Sequence, residues 1–194
     1  MNPVIGVLAL QGAFSAHVEV LGSLGVRSAE VRTVADLARV DALVLPGGES
    51  STMWMLLESS GLADAVASRI VAGMAVFGTC AGMILLAARI LDGRDDQSCF
   101  GAIDIDVRRN AYGRQVDSFE TDLHTAVGDV RGVFIRAPRI ERVGGGVEVL
   151  AELDGEPVLV RSGNALAAAF HPELSGDGSL HRYFVSTVRE PGRV

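Results

Sequence analysis

The chain has 194 residues, 48% of them hydrophobic, with 23 glycines and a formal net charge of −7 at pH 7. Its length and the lack of an obvious linker predict one domain over residues 1–194, and this composition suits an α/β protein with many tight turns. The acidic balance, with no basic block, argues against an electrostatic nucleic-acid binder, and no apolar stretch approaches the roughly 20 residues needed to span a bilayer.

The first apolar run, residues 4–10, follows Met1-Asn2-Pro3 with no basic region before it. It reads as a first buried strand, not a signal peptide, and ends at Gln11-Gly12. Residues 16–24 carry Val18, Leu21 and Leu24 at helical spacing, with Gly25 as the stop. Strands are expected at 28–31 and 41–45, the latter ended by Pro46-Gly47-Gly48. Ser50-Ser51-Thr52 offers capping hydroxyls to a helix starting near residue 53. A helix over 63–71, a strand over 75–77 and a helix over 80–88 continue the βαβα rhythm. That alternation predicts an α/β fold with a doubly wound, mostly parallel sheet flanked by helices. The second half reads as strands at 103–108, 132–135, 147–152, 157–161 and 165–170, several of them antiparallel additions, with a closing helix over 180–188.

Three stretches can carry chemistry. Gly78-Thr79-Cys80-Ala81-Gly82 places a thiol where a strand turns sharply into a helix, the geometry of a nucleophile elbow. Small neighbours let backbone segments crowd such a residue, and a helix N-terminus favours thiolate over thiol. The Ala81 N–H can then face a developing oxyanion. A packed structural cysteine remains the alternative reading of this stretch alone. His171-Pro172-Glu173 follows an apolar run and offers a base with its own orienting carboxylate. Pro46-Gly47-Gly48-Glu49-Ser50 supplies glycines whose N–H groups can approach a ligand, or else a simple strand-to-helix turn. All three fall at strand ends on one edge of one sheet, which suits acyl transfer through a thioester and fits amide hydrolysis best. His17 and His181 fall in predicted helices and His124 in a polar loop, so these three read as structural or surface residues.

In order and spacing these stretches resemble those of class I, triad-type glutamine amidotransferases. More narrowly, the chain is similar to the glutaminase subunits of pyridoxal 5′-phosphate synthases. The similarity is carried by Gly6-Val7-Leu8-Ala9-Leu10-Gln11-Gly12-Ala13, by Arg109-Asn110-Ala111-Tyr112-Gly113-Arg114-Gln115 with Ser118-Phe119-Glu120, by Phe134-Ile135-Arg136-Ala137-Pro138, and by His171–Leu174 with Asp177 and His181. The resemblance implies a flavodoxin-like class I amidotransferase fold that hydrolyses L-glutamine to glutamate and ammonia. It implies Cys80 as nucleophile with His171 and Glu173 completing the triad. Gly47, Gly48, Glu49, Arg109, Ile135 and Arg136 would contact glutamine, and Gly48 and Ala81 would form the oxyanion hole. It further implies that ammonia passes to a (β/α)8-barrel pyridoxal 5′-phosphate synthase subunit in a large hetero-oligomer. In the family the glutaminase is largely inactive until that partner docks, with the Gln11-Gly12 segment near the interface.

The residue counts add three expectations. The two cysteines, Cys80 and Cys99, make neither a disulfide framework nor a metal cluster, so a reducing, cytoplasmic setting without cofactor or metal is expected. All 17 basic Lys and Arg positions are arginine, so no side chain here can form a Schiff base and any imine chemistry belongs to another chain. Cys99 has no counterpart in the family pattern and is expected to be a bystander. Two neighbouring readings stay open at this point: a glutaminase serving a different synthase, and a stand-alone cysteine hydrolase such as a γ-glutamyl peptidase.

Overall fold

Strands whose side chains are apolar on both faces must be covered on both faces, and the first half of the chain folds accordingly. The computed structural model describes residues 3–109 and 118–188. Its first half runs β1 (Ile5–Leu8), α1 (Phe14–Ser23), β2 (Ser28–Val31), α2 (Val34–Leu37), β3 (Ala42–Leu45), α3 (Ser50–Ser59), α4 (Leu62–Val71) and β4 (Ala75–Thr79). α5 (Ala81–Leu86), β5 (Ala87–Ile90), β6 (Ile103–Arg108), β7 (Phe119–Thr125), β8 (Gly128–Phe134) and β9 (Arg139–Val143) follow. β10 (Glu148–Leu153), β11 (Glu156–Ser162), β12 (Ala165–Ala168), a 3-10 turn at Pro172–Leu174 and α6 (Ser179–Thr187) complete it. None of the described helices is long and apolar enough to cross a membrane.

Seven strands form the main sheet in the order β10-β11-β12-β4-β3-β1-β2. The five from β12 to β2 are parallel, and β11 and β10 add antiparallel beyond β12. The parallel part has the flavodoxin-like order 2-1-3-4-5, in which ligands bind outside the carboxyl ends of the strands. Every residue of β1, β3, β4 and β12 is buried, so the middle of this sheet is the core. A three-stranded sheet, β5-β6-β9, and the β7-β8 hairpin lie apart from it.

Several boundaries differ from the sequence expectation for local reasons. The first strand is shorter than 4–10, and α1 starts at Phe14, two residues early. α2 is a short helix closed by a Thr33–Asp36 capping box. The helix expected over 80–88 spans only six residues, because Ala87 turns to extended backbone and pairs with Ile103. His124 lies on β7, not in a loop, paired with Asp129 of β8. β7 and β9 escaped the sequence because their exposed faces carry charge, with Arg131 paired to Glu120 and Asp122 across the hairpin. The 110–115 part of the family motif beginning at Arg109 lies outside the described residues.

Candidate active site

The cysteine sits at a sharp bend from strand into helix. β4 ends at Thr79 and α5 begins at Ala81, leaving Cys80 between them with φ 49° and ψ −104°. Few non-glycine residues adopt positive φ, and such strain persists only where surroundings over-determine it. Here the surroundings are backbone. A Cβ on Gly78 would lie 2.5 Å from the backbone of Gly82, and one on Gly82 would lie 1.9 Å from the Leu45 carbonyl oxygen. The Cys80 N–H donates to the Ala168 carbonyl at 2.9 Å, fastening the elbow to the end of β12. Ala81, at the first helical position, carries one of the N–H groups that a helix cannot satisfy internally.

β12 delivers the base. The His171 N–H donates to the Val133 carbonyl at 2.8 Å, and the ring Nδ1 lies 2.7 Å from Glu173 Oε1. Pro172 opens the 3-10 turn that brings Glu173 back beneath the ring. Gly47 makes room for that ring, since a Cβ there would stand 2.2 Å from His171 Cε1. Burial disfavours a charged imidazole, but hydrogen bonds to Cys80 and Glu173 outweigh it and push the His171 pKa up to about 10. Burial likewise opposes the Glu173 carboxylate, yet the hydrogen bond to His171 holds it below its ordinary range. The arrangement sets a thiol beside an imidazole whose protonated form is favoured, with a buried carboxylate steadying the ring.

A cavity of about 330 Å³ opens over the thiol. Cys80, His171, Gly47, Gly48, Glu49, Arg109, Ile135 and Arg136 line it together. Glu173 sits behind His171, and Ala81 follows Cys80 into the helix. Gln11, Gly12, Ala13, Ser50 and Ile84 also line the cavity; the sequence reading put none of them among the glutamine contacts and expected Gln11-Gly12 near a partner interface. The position of Gln11 and Gly12 at the carboxyl end of a buried strand is the signal that points to them. Their loop grips the next one: Gln11 Oε1 accepts from the Glu49 N–H at 3.1 Å, and the Ala13 N–H donates to the Gly47 carbonyl at 2.9 Å.

Glu49, not Ser50, caps α3. Its carboxylate accepts from the N–H groups of Ser51 at 3.2 Å and Thr52 at 2.7 Å, and from both hydroxyls. Desolvation works against this charge, but the four donors prevail and bring its pKa down to about 2. The Arg109 guanidinium stands 3.8 Å away and donates through NH1 to Gln97 Oε1, while Gln97 Nε2 donates to Ser50 Oγ. Arg109 Nε is buried and has no hydrogen-bond partner among the described residues. That Nε stands 4.0 Å from Asp92 Oδ1, and an ionised carboxylate and a guanidinium lining one cavity suit the two charged ends of an amino acid. Cys99 lies elsewhere, lining a second cavity with Trp54 and Phe100, and burial raises its thiol pKa. Among the described residues no group of three or more His, Cys, Asp and Glu side chains is arranged to hold a metal ion.

His17 and His181 are fully buried, and both reach the site. His17 Nε2 lies 3.2 Å from Thr79 Oγ1 and 3.5 Å from Glu173 Oε2, and its Nδ1 is 2.9 Å from His181 Nε2. Burial drives both rings toward the neutral form, His17 to about 4 and His181 to about 3. His17 lies four residues before Leu21 on the buried stripe of α1, a polar residue in an apolar position, and that was the available clue.

Comparisons with known proteins point to one family. The model of the SNO glutamine amidotransferase family matches residues 7–190. The "Pyridoxal 5'-phosphate synthase subunit PdxT" of Mycobacteroides abscessus is 56% identical over 191 residues, covering 97% of this chain and 99% of the relative. The protein of the same name from Streptomyces coelicolor is 54% identical over 191 residues, covering 97% and 95%. A solved structure described as "Crystal structure of glutamine amidotransferase" superposes with a TM-score of 0.90 at 50% identity, covering 95% of this chain and 98% of its own. "Structure of PurLQS from Thermotoga maritima" matches at TM-score 0.70 and 16% identity, over 97% of this chain and all of the other, a likeness of fold alone. The chain belongs to the SNO glutamine amidotransferase family.

Proposed function

We propose that the chain, as one glutaminase domain, hydrolyses L-glutamine to glutamate and ammonia and feeds that ammonia to pyridoxal 5′-phosphate biosynthesis. The observation that carries the chemistry is the strained Cys80 elbow meeting a His171–Glu173 pair under one cavity. The pathway rests on relatives more than half identical over nearly the full chain. Cys80 Sγ attacks the side-chain amide carbon of glutamine, and the oxyanion is met by the N–H groups of Gly48 and Ala81. His171 gives its proton to the departing nitrogen and ammonia leaves, with the γ-glutamyl thioester remaining on sulfur. Water then attacks the thioester, His171 takes its proton, glutamate departs and the starting pair is restored. Glu173 keeps the ring oriented throughout. Glu49 takes the substrate ammonium and Arg109 its carboxylate, with Ile135 and Arg136 closing the far wall.

The ammonia passes to a separate synthase subunit built as a (β/α)8 barrel, within a large cytoplasmic hetero-oligomer. The absence of lysine supports that division, since imine chemistry needs an amine that this chain lacks. The test is a coupled assay. The chain alone releases little ammonia from glutamine, and adding the partner synthase raises the rate strongly. Cys80→Ala abolishes hydrolysis while the partner still makes cofactor from added ammonia. Full hydrolysis by Cys80→Ala would refute the mechanism, and equal activity without partner would make the chain a stand-alone hydrolase.

A further inference from the structure

We infer that His17, held by His181, is a positioning residue of the triad: its Nε2–H fixes the Glu173 oxygen that His171 does not use. This rests on the glutaminase reading above for its effect on turnover, though not for its geometry. Glu173 spends Oε1 on His171 Nδ1, and its Oε2 is buried with no hydrogen-bond partner among the described residues. The one cationic or donor-bearing ring near that oxygen in the described ion pairs is His17, with Nε2 at 3.5 Å. Thr79 Oγ1, at 3.2 Å from the same nitrogen, holds the ring in place from the last residue of β4, one step before the nucleophile.

The proton positions follow from the contacts. An ionised carboxylate only accepts and the Thr79 hydroxyl can accept as well, so a hydrogen on His17 Nε2 serves both neighbours; a bare lone pair could take the Thr79 hydroxyl proton but would still face a negative oxygen. A neutral His17 then has an unprotonated Nδ1, which accepts across 2.9 Å from His181 Nε2–H. That leaves His181 Nδ1 as a bare acceptor, and it is the buried nitrogen of this pair without a partner. The opposite tautomers would bury an unsatisfied N–H on His181 and aim a lone pair at Glu173. Unpaired buried acceptors are tolerated more readily than unpaired donors, so only the first arrangement fits. α1 and α6 thereby reach the thiol through Glu173 and His171 without touching substrate.

The experiment has one arm free of turnover. ¹⁵N spectra of the histidine-labelled chain should show the Nε2–H tautomer at both His17 and His181; Nδ1–H at His17 would overturn the inference. Against a Cys99→Ser background, His17→Leu should slow alkylation of Cys80 by iodoacetamide near neutral pH. With the partner synthase present it should lower kcat for glutamine about 10–100-fold with KM little changed. His17→Gln returns an N–H to the place of Nε2 and should recover most of both rates. A folded His17→Leu with wild-type alkylation and kcat, or a His17→Gln as impaired as His17→Leu, would refute the positioning role. Should wild type with partner release no ammonia while the alkylation and rescue effects persist, the positioning inference stands and the glutaminase reading fails.

Discussion

At the scale of single residues, the site is a set of close approaches that only particular residues permit. Cys80 carries a positive φ that a side chain resists, and its two glycine neighbours make way for Gly82 backbone and the Leu45 carbonyl. The strain is separable from the chemistry. Cys80→Gly and Cys80→Ala should both be inactive, but the glycine variant should be the more stable by about 1 kcal/mol in urea unfolding, because glycine accepts that φ without cost. Equal stability of the two would mean that the bend is not strained. The bend was legible in the sequence because a cysteine that only fills a core needs no glycine on either side of it. The cap of α3 was misread for a physical reason: three hydroxyl residues follow Glu49 and hydroxyls are the commoner caps, whereas here the carboxylate reaches forward and gathers the donors of Ser51 and Thr52.

At the scale of elements, the ends of four parallel strands, β1, β3, β4 and β12, each contribute a segment to the site. The central parallel strands β1, β3, β4 and β12 were legible as apolar runs, while the edge strand β2, Ser-Ala-Glu-Val, was legible only as a short strand between helices. The β7-β8 hairpin was less so, since only Leu123 of β7 is buried and period-two alternation is obscured by paired charges. α3 joins structure to site through its cap. Glu49→Ala should destabilise the chain by about 1 kcal/mol through loss of the cap and should also raise KM for glutamine. Glu49→Gln should keep part of the cap, since its amide oxygen still accepts, while the effect on KM remains. Calorimetric melting with steady-state kinetics on both variants separates the two roles.

At the scale of the whole molecule, three buried histidines set how stability responds to pH. His17 and His181 are neutral in the native state, with pKa values near 4 and 3, whereas unfolded histidine titrates near its ordinary 6.5. Between pH 6.5 and 4 the unfolded chain therefore binds more protons, and stability falls as the pH falls. His171 acts in the other direction. Its native pKa near 10 means the folded chain holds the proton longer, so its contribution is complete below 6.5 and is lost as pH rises toward 10. Each group contributes a slope of up to about 1.4 kcal/mol per pH unit in its own window. Urea unfolding across pH 4–10 should show a maximum near pH 6.5. His17→Leu should flatten the acid limb and His171→Gln the alkaline limb; a profile unchanged by either would refute these assignments.

The contact between Gly47 and the His171 ring reaches beyond this enzyme. The loop after β3 rests against the base from β12, the loop after β1 grips the loop after β3, and the elbow after β4 leans on the end of β3. Four segments far apart in the chain thus share contact distances with almost no slack. Anyone wishing to transplant this thiol chemistry onto another open sheet would have to carry all four loops together. Changing the substrate of such a site meets the same constraint: a wall residue such as Ile135 can be exchanged singly, but the four-loop contact must be kept whole.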